Sequence, residues 1–196
     1  VRRTQEERSQ NTRAALVAAA RELFAERGYQ AVPADEIVRA AGVTRGALYH
    51  HYGDKQGLFR AVFEQVELEV TAEVEAAMTD APDLATGLLL ALKAFLDACE
   101  RAEVRRISLV DAPAVLGWAA WREIEAGHGL GLITTVLRQA VERGLVKPLP
   151  VEVLAQLVLS AVNEAALMIT HADNPAQARS DAEQVLATWL LGLLAE

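Results

Sequence analysis

Thr44-Arg45-Gly46-Ala47-Leu48-Tyr49-His50-His51-Tyr52-Gly53-Asp54-Lys55 is a short polar and aromatic stretch in a chain otherwise made of long, apolar-faced helical patterns. It follows Ala41-Gly42-Val43, so two short helical segments meet at a glycine turn. The spacing predicts a helix over Thr44–His51, capped by Thr44 and anchored inward by Ala47 and Leu48. Such a helix is ~10–12 Å long, which suits a major groove ~12 Å wide. Its outward residues have the right chemistry for that groove. Arg45 can offer a two-pronged fork to guanine, and Tyr49 can pack its ring on sugar or a thymine methyl.

Upstream, Asp35–Ala41 reads as the first helix of the pair, with Ile37, Val38 and Ala41 inward, Pro33 in its first turn and Gly42 ending it. Before it, Leu16, Ala20, Leu23 and Phe24 fall on one face of a helix running from an N-cap at Thr12 to Arg27, where Gly28 stops it. Residues 1–11 are charged and aperiodic and read as an arm: either a disordered tail, or one in which Arg2 and Arg3 reach phosphate or a minor groove.

Downstream, Gly53-Asp54 is a break, and a strut helix of ~36 Å runs from Lys55 to about Met78. Leu84–Glu103 is amphipathic, Val104–Val110 follows, and Asp111-Ala112-Pro113 reads as a break. A short piece, Ala114–Trp118, leads to a helix from about Trp121 to Arg143. Val151–His171 is apolar almost all round and must be covered on most faces; the last helix spans about Pro175–Leu194. The expected fold is all-α: a three-helix head, residues 1–54, and a body of about six helices, residues 55–196, including the strut.

Apolar residues make up 52% of the 196, ample for a core, and no apolar run is read as reaching the ~18 residues of a membrane span. Cys99 is the single cysteine, so no internal disulfide is possible, and a packed thiol in a reducing cytoplasm is expected. The net charge of −8 conceals an asymmetry. Residues 1–60 hold ten Lys/Arg against seven Asp/Glu, a balance of +3, while the remainder holds nine against twenty, a balance of −11. A basic head on an acidic body suits a protein that presents only its head to a duplex.

Residues 12–63 resemble the DNA-binding head of the TetR/AcrR family of one-component bacterial regulators. The resemblance rests on Ala19-Ala20-Arg21-Glu22-Leu23-Phe24, Gly28-Tyr29, Ile37, Ala40-Ala41-Gly42-Val43, Gly46 through Tyr52, Lys55 and Leu58-Phe59. It implies a homodimer on a palindromic operator of double-stranded DNA, a small-molecule effector bound in the body, and a four-helix dimer bundle built by the last two helices. By position, Thr44, Arg45, Gly46 and Tyr49 match the start of the recognition helix. His50, Tyr52 and Lys55 match backbone-contacting positions. Pro33-Ala34 stand where the family commonly has a serine or threonine that caps and binds phosphate, a departure for which the resemblance does not supply that contact.

For the dimer, Leu154, Val158 and Ala161 on one helix and Val185, Leu186, Trp189, Leu190 and Leu193 on the last are expected to pair subunits. For the effector, Asp111, Trp118, Trp121, His128, Asn163 and Glu164 are candidates, polar or aromatic groups in apolar surroundings. No cofactor, metal or enzymatic activity is expected. Glu125-x-x-His128 has di-iron spacing but lacks the second Glu-x-x-His that such sites need. A helical sequestering protein with a vestigial head is the alternative class.

Overall fold

The computed structural model describes residues 5–195. Among them the chain is helical, with one isolated antiparallel bridge, Val146 to Leu194, in place of any sheet. It divides into two compact units: the chain up to Val66 together with Ala102–Trp121, and Glu67–Arg101 together with the chain from Arg122 onward.

The first unit begins with helix α1, Gln5–Arg27, seven residues earlier than the Thr12 cap predicts. Glu6 and Glu7 occupy its first turn, where negative charge favours a helix start, and the Thr12 hydroxyl donates back to the Arg8 carbonyl at 2.9 Å. Thr12 thus lies inside the helix. Arg2 and Arg3 are outside the described residues. Leu16, Ala20 and Phe24 form the buried stripe of α1, and Phe24, Tyr29 and Phe59 meet in a three-ring cluster with centroids 5.2–5.6 Å apart.

Helix α2, Ala34–Ala40, buries Ile37 and Val38; Pro33 sits at its N-cap without a side-chain cap bond. It ends at Gly42, φ +66, where Gly42 N–H bonds the Arg39 carbonyl and Val43 N–H the Val38 carbonyl. This double closure needs a left-handed residue, which is why the turn holds glycine. Helix α3, Arg45–Tyr52, is capped by the Thr44 hydroxyl accepting from Ala47 N–H at 3.3 Å. The next turn is tighter still. A Cβ on Gly57 would collide with the Tyr52 carbonyl, so α4, Lys55–Thr79, can follow α3 this closely only with glycine there.

The segment completing the first unit is not broken at Asp111-Ala112-Pro113. A three-residue turn α6, Ala102–Val104, continues as π-helix over Arg105–Asp111 into α7, Ala112–Gly127, and Ala112 N–H bonds the Ile107 carbonyl five residues back. The wider turn lets the chain stay helical as it reaches a proline, which has no N–H to place. Within α7, Gly117 leaves the helical region (φ +75) and makes a kink.

In the second unit α5, Leu84–Glu100, is capped by Asp83, and α10, Pro175–Leu191, by Asn174. The expected helix from Trp121 to Arg143 is divided: His128 at φ −127, ψ −110 separates α7 from α8, Gly129–Glu142. Helix α9, Val151–His171, packs against α5, α8 and α10. It is 21 residues long and, by length and composition, apolar enough to cross a membrane, contrary to the expectation of no such run. Its Leu154, Ala155, Val158, Leu159, Val162, Ala165, Ala166 and Ile169 are buried in this unit, as in the core helix of a folded body. Arg179 of α10 ties the far end, pairing with Asp97 at 2.6 Å, Glu100 at 2.5 Å and Glu183 at 2.8 Å. Burial works against its charge, but these three carboxylates outweigh it and raise its pKa.

Candidate nucleic-acid interface

The cap at Thr44 and the buried Leu48 fix α3 so that Arg45, Gly46, Tyr49 and His50 face outward. Arg45 is held by two neighbours: Asp35 of α2 accepts from Nη1 at 3.3 Å, and the Tyr49 hydroxyl accepts from Nη2 at 3.3 Å. The guanidinium also stands 5.7 Å from the Tyr49 ring centroid. Tyr49 first, then Asp35, raise its pKa. Tyr49 itself is 44% exposed, a large aromatic held open to solvent. Gly46 adds no bulk beside Thr44. These four residues, Thr44 through Gly46 and Tyr49, form one small surface ready to meet a groove.

Two of the expected backbone contacts are used internally. The Tyr52 hydroxyl donates to the Arg13 carbonyl at 3.1 Å, with Arg13 over its ring, so it pins α3 to α1. Lys55 donates from Nζ to the carbonyls of Tyr29 at 2.9 Å and Val32 at 3.0 Å, and its ammonium lies 3.9 Å from the Tyr29 ring centre. Those carbonyls belong to the link after α1, where Tyr29 O otherwise accepts only a long 3.4 Å bond from Val32 N–H, so an ammonium folded beneath them satisfies the loop. Burial lowers its pKa. Lys55, expected at a backbone-contacting position, thus has its ammonium engaged as a clamp on the head's own loop. His51, edge-on to His50 at 4.9 Å, has its pKa lowered by burial, then by His50 and Arg13, and was not singled out by pattern.

A second constellation clasps this unit from the 102–121 segment. The Asp111 carboxylate accepts from Tyr29 N–H at 2.8 Å and lies 3.7 Å from Arg106. Arg106 donates to the Arg27 carbonyl at 3.2 Å and lies over Gly28, leaving no room for a Cβ there. Glu103 pairs with Arg21, and Gln56 donates to the Val115 carbonyl at 2.5 Å. Asp111, expected in an effector pocket, is thus committed to the end of α1. Trp118 is 68% exposed and edge-on to Trp121 at 5.5 Å, so the pair does not wall a closed cavity by itself.

In the second unit, Asn163 donates to Glu125 at 3.3 Å, and Arg122 donates to Glu125 at 2.8 Å. Glu125 is buried, and burial raises its pKa although Arg122 and Asn163 pull it down. Its sequence signal was the Glu-x-x-His spacing, but the side chain that joins it is Asn163; His128 marks the helix break. Glu164 is solvent-exposed, so the buried polar group expected there is Glu125 instead. The dimer set also divides. Leu154, Val158, Leu186, Leu190 and Leu193 are buried inside their own chain, Ala161 is half-buried, and Val185 and Trp189 are exposed.

Residues 85–193 match a family described as "Tetracyclin repressor-like, C-terminal domain", and residues 16–62 match "Bacterial regulatory proteins, tetR family". The chain belongs to the TetR family. A TetR-family transcriptional regulator from Pectobacterium atrosepticum is 34% identical, with a TM-score of 0.83 and 99% of each chain covered. The transposon Tn10 TetC protein of Escherichia coli is 29% identical over 154 residues, 79% of this chain and 78% of that one. The HTH-type transcriptional activator FasR of Mycolicibacterium smegmatis is 36% identical over 88 residues, 45% of this chain and 40% of that protein. This TetR-family chain is accordingly a DNA-binding transcriptional regulator, with the all-α head and body that its sequence predicts. The matched head, residues 16–62, contains the whole surface around Arg45 and Tyr49.

Proposed function

We propose that this regulator is a ligand-responsive repressor: a homodimer that binds an inverted-repeat operator in the cytoplasm and leaves it when a small molecule binds the body. Residues 1–54 supply the DNA contacts, and residues 55–196 supply the effector site and the dimer surface. The observation that carries the reading is the exposed Arg45–Tyr49 pair on a helix whose other face is capped and buried. Thr44, Gly46 and His50 flank it as backbone or close-approach contacts.

Dimerisation is assigned to exposed apolar stripes rather than to the buried set: Val153, Leu157 and Met168 of α9, with Val185 and Trp189 of α10. A two-fold pair of heads reads a palindrome. The effector's polar anchor is assigned to Glu125 and Asn163, which lie inside the body and share a hydrogen bond. An effector acts only if it favours one head arrangement over another. The clasp of Asp111, Arg106 and Glu103 on the head is a means by which helix movement can reach α1.

Gel shift against the DNA flanking the gene tests the reading. The wild type binds as a dimer, and affinity falls steeply with salt as phosphate contacts release ions. Tyr49→Ala and Arg45→Ala each weaken binding by ~1–3 kcal/mol. Reporter expression should rise when the gene is removed; a fall would make the protein an activator, as FasR is named. A wild type that binds no duplex at low salt, yet still shifts its melting temperature with small molecules, would leave a sequestering protein with a vestigial head.

A further inference from the structure

The Asp35–Arg45 pair presents an electrostatic oddity. A carboxylate has been placed beside the one guanidinium expected to read a base, on a head that must approach a polyanion. Asp35 Oδ1 lies 3.1 Å from Arg45 Nη1, and both side chains are 59% exposed. An ion pair this open contributes little to folding, since water screens it and two long side chains lose freedom in making it. The negative charge costs affinity for phosphate wherever a duplex docks on α3. Asp35 also lies in the first turn of α2, where an acid favours the helix dipole, but Glu36 in the same turn already supplies that charge.

What the contact does change is the freedom of Arg45. A long guanidinium side chain at the start of a recognition helix has two competing targets in a duplex. One is a guanine edge, which carries sequence information; the other is a phosphate, which carries none. Asp35 engages Nη1, and Tyr49 holds Nη2 at 3.3 Å with its ring 5.7 Å from the guanidinium carbon. The group is thereby braced from two sides, with Nε given no partner among the described residues. A fork braced in this way keeps one orientation, and a fixed orientation is what a two-pronged contact with guanine N7 and O6 demands.

We propose that Asp35 is a specificity-determining positioning residue: it holds Arg45 as a base reader and denies it to phosphate, lowering affinity for DNA in general and raising discrimination. The inference rests on the DNA-reading role proposed for Arg45.

The test uses the full-length protein and a pool of duplexes whose central two helical turns are randomised. The wild type is expected to enrich a symmetric site with a guanine preferred in each half. Binding is then measured on that selected duplex and on a scrambled duplex of the same composition. Asp35→Asn, which keeps the size of the side chain, should bind the scrambled duplex a few-fold more tightly. Its ratio of selected to scrambled affinity should fall by about five- to a hundredfold, the value of one two-pronged base contact. Its own selected pool should lose the guanine. Asp35→Ser should behave likewise, and circular dichroism melting should leave both variants folded.

The decisive arm repeats Asp35→Asn in an Arg45→Ala background, where the ratio should no longer respond. An equal fall in that background would overturn the inference, because Asp35 would then discriminate between duplexes by a contact of its own, without Arg45. An unchanged guanine preference in Asp35→Asn would overturn it while leaving Arg45 as a reader. If the wild type enriches nothing, or if Arg45→Ala selects the same site, the reading role of Arg45 fails, and the inference with it.

Discussion

The two units differ in how completely each closes its own core. In the first, Leu16, Phe24, Val32, Ile37, Leu48, Leu58, Phe59, Val62 and Phe63 are all fully sealed at 0% exposure. In the second, Ala155 is at 0% and Leu96 and Ala98 are at 2%, but Leu154, Val158, Val162 and Leu186 stand at 7%, and Ile169 and Leu193 at 8%. The second unit also leaves Val153, Leu157, Met168 and Val185 each more than half exposed. A sealed core makes a rigid platform, as a surface that must hold side chains in register requires. A core left slightly open, beside exposed apolar stripes, is what remains when a second surface is needed to finish the packing.

The largest expected effect strikes the sealed unit. Phe24→Ala removes the hub of the Phe24–Tyr29–Phe59 cluster and should cost about 3–5 kcal/mol by denaturant titration. An effect no larger than that of an equivalent truncation at an incompletely sealed site, such as Leu193→Ala, would break the comparison. Arg179→Ala leaves Asp97, Glu100 and Glu183 without their common cation and should cost about 1–3 kcal/mol in the body, discounted for the exposure of the carboxylates. Operator contacts in the head should be unaffected by it.

Dimerisation sharpens the contrast further. If the open stripes are covered by a second copy, the melting temperature should rise with protein concentration, each tenfold step corresponding to about 1.4 kcal/mol of association free energy. Val185→Arg should abolish that dependence and yield a monomer by sedimentation, with the helical content kept. Charging Val158 or Leu190 is a poorer experiment, because both are buried in their own chain and their loss would unfold the body.

The smallest effect is a pH slope. Burial raises the Glu125 pKa in the folded body, so the native state holds this proton more tightly than the unfolded chain. Its stabilising contribution is fully present below the ordinary glutamate value of about 4.3 and is lost as pH rises through the raised folded value. Stability measured across that window should fall less steeply in Glu125→Gln than in the wild type. Identical slopes would show that Arg122 and Asn163 cancel the effect of burial on Glu125.

The elements written in local pattern were legible from residues alone. Thr44 as cap, Gly42 as turn and the bounds of α9 follow from short-range chemistry that any chain with those residues repeats. Roles that depend on a distant partner were not. Lys55 carries the residue type of a phosphate clamp, but the carbonyls of Tyr29 and Val32 lie more than twenty positions away. Asp111 has the appearance of a stray polar group in an apolar run, yet it serves an N–H 82 positions earlier. Asp-Ala-Pro marks a break in most contexts; here a wider helical turn absorbs it. Likewise Leu154 and Val185 share an apolar character, and only the packing of α9 on α10 separates core from surface.

The π-helical turn at Arg105–Asp111 has a consequence in register. Its hydrogen bonds reach back five residues instead of four, so the helix accommodates one residue more than an ordinary turn would. Each residue of an α-helix advances the side chains by about 100° around the axis. Because the wider turn absorbs its extra residue, deleting one residue between Arg105 and Val110 and tightening the turn to α would leave Asp111 close to its present phase, facing the Tyr29 N–H it now meets at 2.8 Å. The clasp is thus a matter of phase: the π turn brings the carboxylate to the head with one residue more than an α turn would use, whereas an extra residue in a helix kept strictly α would turn it about 100° away.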